Sequence, residues 1–371
     1  MGKWKKCTIA DLGTVVGGAT PSTKKPENYD GGTIAWITPK DLAGFLGRFI
    51  SHGERNITEA GLHSCSTQMM PRHTILFSSR APIGYVAIAE NEVCTNQGFK
   101  SVVPNDNTDY MFLYYLLLNN RQNIEHMGSG TTFKEVSGKT MRGIEVCVPE
   151  SKEEQIRISS MLSAIDDKIE ENERINKNLL EQALAIYKDW FCDYALSDGI
   201  LPENWKITTI DAISSLVTRG IAPKYDDSSD QIVLNQKCIR DHTIDISLSR
   251  RHLPKKINEK WISKGDLLIN STGTGTLGRV AQVWFEANNM TVDSHVTIVR
   301  PKDPILQSYI GFWGLSHESE IEAQHTGSTG QTELPRNRVK AMELPLPDED
   351  TLSKFNELVI PMTSTVISPV C

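Results

Sequence analysis

Between Ser151 and Phe191 the chain has neither glycine nor proline, and its seam positions recur in alternating steps of four and three. They run Ile158, Leu162, Ile165, Ile169, then Asn172 and Asn176, then Leu179, Ala183, Ile186 and Trp190. A rhythm held for more than four heptads predicts one coiled-coil-type helix, about 60 Å long at 1.5 Å per residue, whose stripe needs cover from another helix. Its start is written as Ser151-Lys152-Glu153-Glu154, a capping box in which Glu154 reaches back to the Ser151 amide, and its stop as Ser197-Asp198-Gly199 followed by Pro202. Asn172 and Asn176 admit two readings: buried amides that penalise slipped pairings, or solvated side chains with Ile175 turned into the seam.

The segments on either side of this helix repeat one another. Trp4-Lys5, Thr8-Ile9, Pro21 and Ile34 to Ile37 are answered by Trp205-Lys206, Thr209-Ile210, Pro223 and Ile232 to Asn235. Ser78 to Ala87 is answered by Ser271 to Ala281, Gly128-Ser129-Gly130 by Gly327-Ser328-Thr329, and Glu145 to Pro149 by Glu343 to Pro347. Period-2 runs and turn signals predict an α+β domain in each copy. In the first, strands fall near 74–78, 84–89, 98–103 and 144–148, with a helix at Tyr110–Asn120. In the second, the strands fall near 266–270, 279–285 and 295–300, with a helix at Gln307–Ser316. The expected organisation is a domain at 1–150, a helical spacer at 151–196, a second domain at 197–347 and a short segment at 348–371.

A length of 371 residues suits two such domains plus a connector. No apolar run approaches the roughly 20 residues that span a bilayer, and the basic N-terminus lacks the apolar stretch of a signal peptide, so no membrane partner and a cytoplasmic location are expected. The seven cysteines are scattered, without a C-x-x-C pair, and read as reduced structural thiols. A net charge of −7 argues against a nucleic-acid partner until it is divided. Residues 1–150 carry 15 basic and 14 acidic groups, 151–200 carry 6 and 11, and 201–371 carry 18 and 21, so the acid sits mainly on the connector and near the C-terminus.

No catalytic motif is expected in this sequence. Gly273-Thr274-Gly275-Thr276-Leu277-Gly278 has the G-x-G-x-x-G form, but Arg279 to Phe285 after it is a strand pattern rather than a helix start, so these glycines are expected to form a hairpin turn. Asp166-Asp167-Lys168 resembles a nuclease cluster but lies on the heptad helix, where a solvated charged face is expected. The nine histidines lack metal-ligand spacing, no Pro-Pro dipeptide exists for a base-flipping methyltransferase loop, and no metal or cofactor site is expected.

Pro149-Glu150-Ser151-Lys152-Glu153-Glu154-Gln155-Ile156 leading into the helix, Ala164 to Glu170, the Asn-rich stretch to Leu179-Leu180, and the paired turns Gly130-Thr131-Thr132 and Gly327 to Gln331 resemble the specificity subunits of type I restriction-modification complexes. The resemblance covers residues 1 to about 350. It implies two tandem target-recognition domains joined by the helix and a non-catalytic subunit that reads an asymmetric bipartite site in double-stranded DNA. It also implies two methyltransferase subunits and restriction subunits as partners, which would carry S-adenosylmethionine, ATP and Mg²⁺. The chain departs from that pattern after Pro347: proline at 361 and a β-branched run are expected to end any helix there. The first helix would then lack its internal antiparallel partner, so that an isolated chain is expected to be poorly stable or to self-associate through 156–190.

Loop-rich basic and amide residues are the candidate DNA contacts, since Arg and Lys grip phosphates or guanine while Asn and Gln pair with adenine. In the first copy they are Lys24, Lys25, Arg48, Arg55, Arg80, Gln97 and Lys100; in the second Lys224, Arg250, Arg251, Lys255, Lys256, Asn270 and Arg279. For any one of them a solvated surface charge is the commoner role. Arg80, beside Pro82-Ile83-Gly84, and the run Arg250 to Lys256 stand out because they adjoin turns. A different class of function, a protein-interaction scaffold with two ligand-binding domains on a coiled-coil rod, is favoured by the acidic balance and disfavoured by the helix start and the paired turns.

Overall fold

The computed structural model describes residues 3–45, 47–129, 134–253, 258–273, 275–327 and 332–365. The chain divides into two compact units, Met1–Glu171 and Asn172–Cys371, with the boundary inside the long helix. The helix itself runs from Lys152 to Phe191, 40 residues without interruption, as the absence of glycine and proline permits.

In the first unit a five-stranded sheet has Ile75–Ser79 near its centre, flanked by Lys100–Pro104 and Ile83–Ala89, with Gly13–Gly17 and Phe49–Ile50 at the edges. Trp4–Thr8 pairs antiparallel with Glu145–Pro149, which closes the domain on itself. The helix Tyr110–Asn119 covers one sheet face, where Ile75, Phe77, Ile88, Val102, Leu113 and Leu117 are all fully buried.

The second unit repeats the design with four strands: Ser214–Arg219, Val296–Pro301, Leu267–Asn270 and Val280–Gln282 in spatial order. Lys206–Thr209 pairs antiparallel with Glu343–Leu346 as its closing ribbon. The strand expected at 279–285 is shorter, Val280–Gln282, and the helix Gln307–Ser316 falls where the sequence pattern puts it. The correspondence reaches single residues. Gly84 and Gly278 both have positive φ (97° and 85°), and in both a Cβ would press at 2.6 Å against a side chain of a following helix, Arg121 or Glu322. Only glycine combines that backbone with that approach. Gly278 thus belongs to the turn joining Leu267–Asn270 to Val280–Gln282, which is what the formal G-x-G-x-x-G becomes here.

Two expectations about helix ends change. Ser151 does accept from the Glu154 amide (3.2 Å), but the Glu154 carboxylate goes to Arg157 through a pair of hydrogen bonds of 2.9 and 2.7 Å rather than back to the Ser151 amide. A forked guanidinium offers the carboxylate two charge-assisted bonds where the amide offers one neutral bond. At the other end, a helix runs from Glu349 to Thr365 straight through Pro361. Proline inside a helix costs about 3 kcal/mol. Each fully buried large side chain returns about 1.5–3 kcal/mol, and Leu352, Phe355 and Val359 are all buried on this helix. The residues after Thr365, including the rest of the β-branched run, lie outside the described residues.

Candidate nucleic-acid interface

The two units present equivalent sheet ends, each built on a reciprocal backbone pair beside the end of an inner strand, Ile75–Ser79 or Leu267–Asn270. In the first, Ser129 and Glu135 exchange amide-to-carbonyl hydrogen bonds (3.1 and 2.9 Å), and the Val136 amide donates to the Ser79 carbonyl at 2.9 Å. In the second, Thr326 and Glu333 exchange the same pair (2.8 and 3.0 Å), and the Leu334 amide donates to Ser271 at 2.9 Å. Each pair brackets one of the Gly-Ser/Thr turns in the sequence. The turns themselves, Gly130-Thr131-Thr132 and Ser328 to Gln331, lie outside the described residues.

Basic groups gather at these ends. In the first unit Lys100 Nζ lies 3.3 Å and Arg80 Nη1 3.8 Å from the Glu135 carboxylate. Gln97 is exposed, accepts from Thr20 Oγ1, and precedes Gly98, whose carbonyl accepts from the Ser79 amide at 2.7 Å. In the second unit Arg219 pairs with Glu333 and donates to the Leu334 carbonyl at 2.9 Å. Arg219, Lys260, Glu333, Arg336 and Asn337 are among the residues lining an open cleft of about 470 Å³. Arg219, Lys260, Arg336 and Asn337 were not among the sequence candidates. They come from three separate segments, and spacing along the chain gave no sign that they meet.

The remaining candidates scatter. Lys24 and Lys25 are exposed ahead of the short turn Pro26–Asn28. Arg55 lies over the Tyr29 ring at 4.2 Å and Arg250 over the Tyr225 ring at 3.4 Å, so both are exposed cations pre-oriented by an aromatic face. Lys224 is exposed, Arg251 donates to the Ser229 carbonyl at 2.7 Å, and Arg279 is half-buried on the turn after Gly278. Lys255 and Lys256 lie outside the described residues.

Arg48 and Asn270 do not belong to an open surface. Arg48 is only 7% exposed. Its guanidinium bonds to Glu170 Oε1 (2.9 Å) and Ser163 Oγ (2.9 Å) and pairs with Asp167, all on the long helix. Burial works against its charge, but the hydrogen bonds to Glu170 and Asp167 outweigh burial and hold the guanidinium protonated more firmly than usual. Asn270 is fully buried, with its amide donating to the Gln236 carbonyl at 3.0 Å. The reason is positional: Asn270 ends a central sheet strand, whereas Arg48 faces Glu170 and Asp167, the latter expected on a solvated face and still 63% exposed.

The helix seam is likewise divided. Ala183 is fully buried and Ile186 and Trp190 partly so, in a cluster with Tyr187, Phe191, Tyr309, Phe312 and Phe355. Ile158 is half-buried, Leu179 and Asn176 partly covered, and Asn172 exposed, while Leu162, Ile165 and Ile169 are 39–58% exposed. Among the described residues there is no group of His, Cys, Asp or Glu able to hold a metal, and no helix long and apolar enough to cross a membrane. The six described cysteines are unpaired, with burial pushing the Cys94 thiol up to about 12.

Residues 1–181 match the family profile described as the type I restriction modification DNA specificity domain. The MjaIX specificity subunit of Methanocaldococcus jannaschii, a type I restriction enzyme subunit, is 32% identical over 98% of this chain and 88% of its own length. The chain belongs to the type I restriction enzyme specificity subunits. The family is one of recognition subunits, not of enzymes. The EcoR124I/EcoR124II specificity subunit of Escherichia coli is 28% identical over 44% of the chain and 41% of its own length. The S subunit from M. genitalium has the same fold at 14% identity, with a TM-score of 0.56 across 100% of this chain and 97% of that one.

Proposed function

We propose that this specificity subunit reads an asymmetric, two-part site in double-stranded DNA, one part with each α+β domain, and that the long helix is the spacer that keeps the two readings at a fixed interval. The boundaries that go with this reading are recognition domains at 1–150 and 197–347, the spacer at 151–196 and a second helical segment from 348. One observation carries it: the same sheet end is built twice on matching backbone pairs, but with different polar side chains on it, Arg80, Gln97 and Lys100 against Arg219, Lys260, Arg336 and Asn337. A repeated scaffold with diverged side-chain chemistry suits two readers of different base sequences. The exposed candidates Lys24, Lys25, Arg55, Lys224, Arg250 and Arg251, with the half-buried Arg279, would supply phosphate contacts around these ends.

Two methyltransferase subunits would assemble on the exposed apolar stripe of the helix, where Met161, Ile165 and Ile169 are half or more exposed, and restriction subunits would join them. S-adenosylmethionine, ATP and Mg²⁺ belong to those partners. The place of action is the cytoplasm, where the DNA is. Methylation mapping of the assembled complex tests the reading. It should return two short motifs separated by a constant gap, and replacing residues 1–150 with another such domain should alter one motif only. A single continuous motif, a variable gap, or a change in both motifs would overturn it.

A further inference from the structure

The two carboxylates at the sheet ends are held by equivalent backbone pairs, yet their cations come from opposite sides of the same strand pair. In the first unit Gly17 faces Lys100 across the ladder between Gly13–Gly17 and Lys100–Pro104, and it is Lys100 that pairs with Glu135. In the second unit Arg219 faces Thr297 across the corresponding ladder, and it is Arg219 that pairs with Glu333. Arg80 adds a further contact to Glu135, and its counterpart by backbone bridging is the uncharged Thr272. The backbone explains why a residue sits at 135 and at 333. It does not explain why each is Glu, nor why each repeat finds its own cation from a different strand.

Stability does not explain it either. Glu135 and Glu333 are 40% and 55% exposed and their partners Lys100 and Arg219 16% and 23%, and pairs whose carboxylate stays open to water contribute about 1 kcal/mol or less. What a carboxylate does strongly at a DNA-facing sheet end is electrostatic: it occupies a cation that would otherwise bind phosphate of any sequence, and it repels phosphate itself. Building on the DNA-reading function above, we infer that Glu135 and Glu333 are specificity-determining residues: each withholds its cation, Lys100 with Arg80 or Arg219, from sequence-independent phosphate binding. In the cognate complex base contacts set the register and the cation stays where the carboxylate holds it. On other sequences no such register exists, and a free cation would strengthen binding wherever a phosphate came within reach.

The test uses the full chain assembled with its methyltransferase subunits and compares wild type with Glu135→Gln and Glu333→Gln on cognate and random-sequence duplexes over a salt series. Each substitution should tighten random-sequence binding about threefold to tenfold and steepen its log K against log salt slope by about 1, the contribution of one added phosphate contact. Cognate binding should change less, so the discrimination ratio falls, and methylation mapping should show relaxed readout in the half-site of the substituted domain alone. Adding Arg219→Gln to Glu333→Gln should return the slope to the wild-type value or below. An unchanged slope and ratio overturns the inference. So does loss of cognate binding with random binding unaltered, which would make the carboxylate a direct acceptor from a base. A wild-type complex with no cognate preference would instead remove the DNA-reading function itself.

Discussion

The long helix is anchored in two chemistries. Its first half lies in the first unit with a polar face inward: Gln155 and Ser159 are 2% and 3% exposed while Met161 is 62% exposed. The Asp109 amide donates to Gln155 Oε1 (3.0 Å), Ser159 Oγ donates to Asp109 Oδ1 (2.7 Å) and Tyr115 OH donates to Asp166 (2.6 Å). Arg48 closes the row on Ser163, Asp167 and Glu170. Asp109 also caps Tyr110–Asn119 through the Phe112 amide, so one carboxylate serves two helices. The second half lies in the second unit with an aromatic face inward. Tyr187 and Phe191 pack among Tyr309, Phe312 and Phe355 at centroid distances of 4.9–6.4 Å, mostly tilted or edge-to-face. A polar anchor leaves the apolar stripe of the first half free for another surface; an aromatic anchor consumes it. The same 40 residues therefore end in a segment with an exposed apolar stripe and a core segment.

The aromatic half should be the more costly to damage. Tyr187→Ala removes a 1% exposed ring and is expected to destabilise the second unit by about 3–5 kcal/mol, read as a lowered midpoint in denaturant; a loss below 1 kcal/mol would end the distinction between the halves. Arg48→Ala should cost less, roughly 1–2 kcal/mol, because its carboxylate partners can return to water. Its signature is local: hydrogen exchange should accelerate at amides 160–171 and stay unchanged at 180–191.

Asp348 gives a smaller and pH-dependent effect. It accepts from the Thr351 amide (3.0 Å) and from Trp205 Nε1 (3.1 Å), pinning the start of the helix that covers the aromatic cluster. The Thr351 amide bond leads the contacts that hold its carboxyl below the ordinary 3.8. A depressed folded value means stability that is present above the ordinary value and is lost as pH falls through the folded one. Asp348→Ala should cost about 1 kcal/mol at neutral pH and remove that part of the acid-side decline; equal acid sensitivity in variant and wild type would refute the assignment. Smallest on stability is Ile169→Ser, at half exposure, expected within about 0.5 kcal/mol. Its effect should appear on mixing with the methyltransferase subunit, as weaker association in sedimentation. Equal association would leave the exposed stripe without its proposed partner.

Reading along the chain located the long helix, the repeat and most sheet strands, because period and turn chemistry are local properties. It placed Ala183 in a core but passed over Tyr187 and Phe191, which a one-residue rotation of the helix brings inward. It also missed the polar anchor entirely. Gln155, Ser159, Ser163 and Asp166 carry no hydrophobic signal, and a buried hydrogen-bonding face has the same composition as a solvated one. The interruption expected at Pro361 failed for the reverse reason: propensity is a small local penalty, and the burial of Leu352, Phe355 and Val359 on the same helix exceeds it.

Sequence alone determined that this protein has two related α+β domains and a continuous helix, since backbone permissions and hydrophobic period are properties of neighbouring residues. Tertiary structure alone decided which charges are available. Arg48 is held by carboxylates of the helix, and Arg219 meets a carboxylate 114 residues away. A charge acts on whatever lies within a few ångströms of it, and only the folded chain sets that neighbourhood.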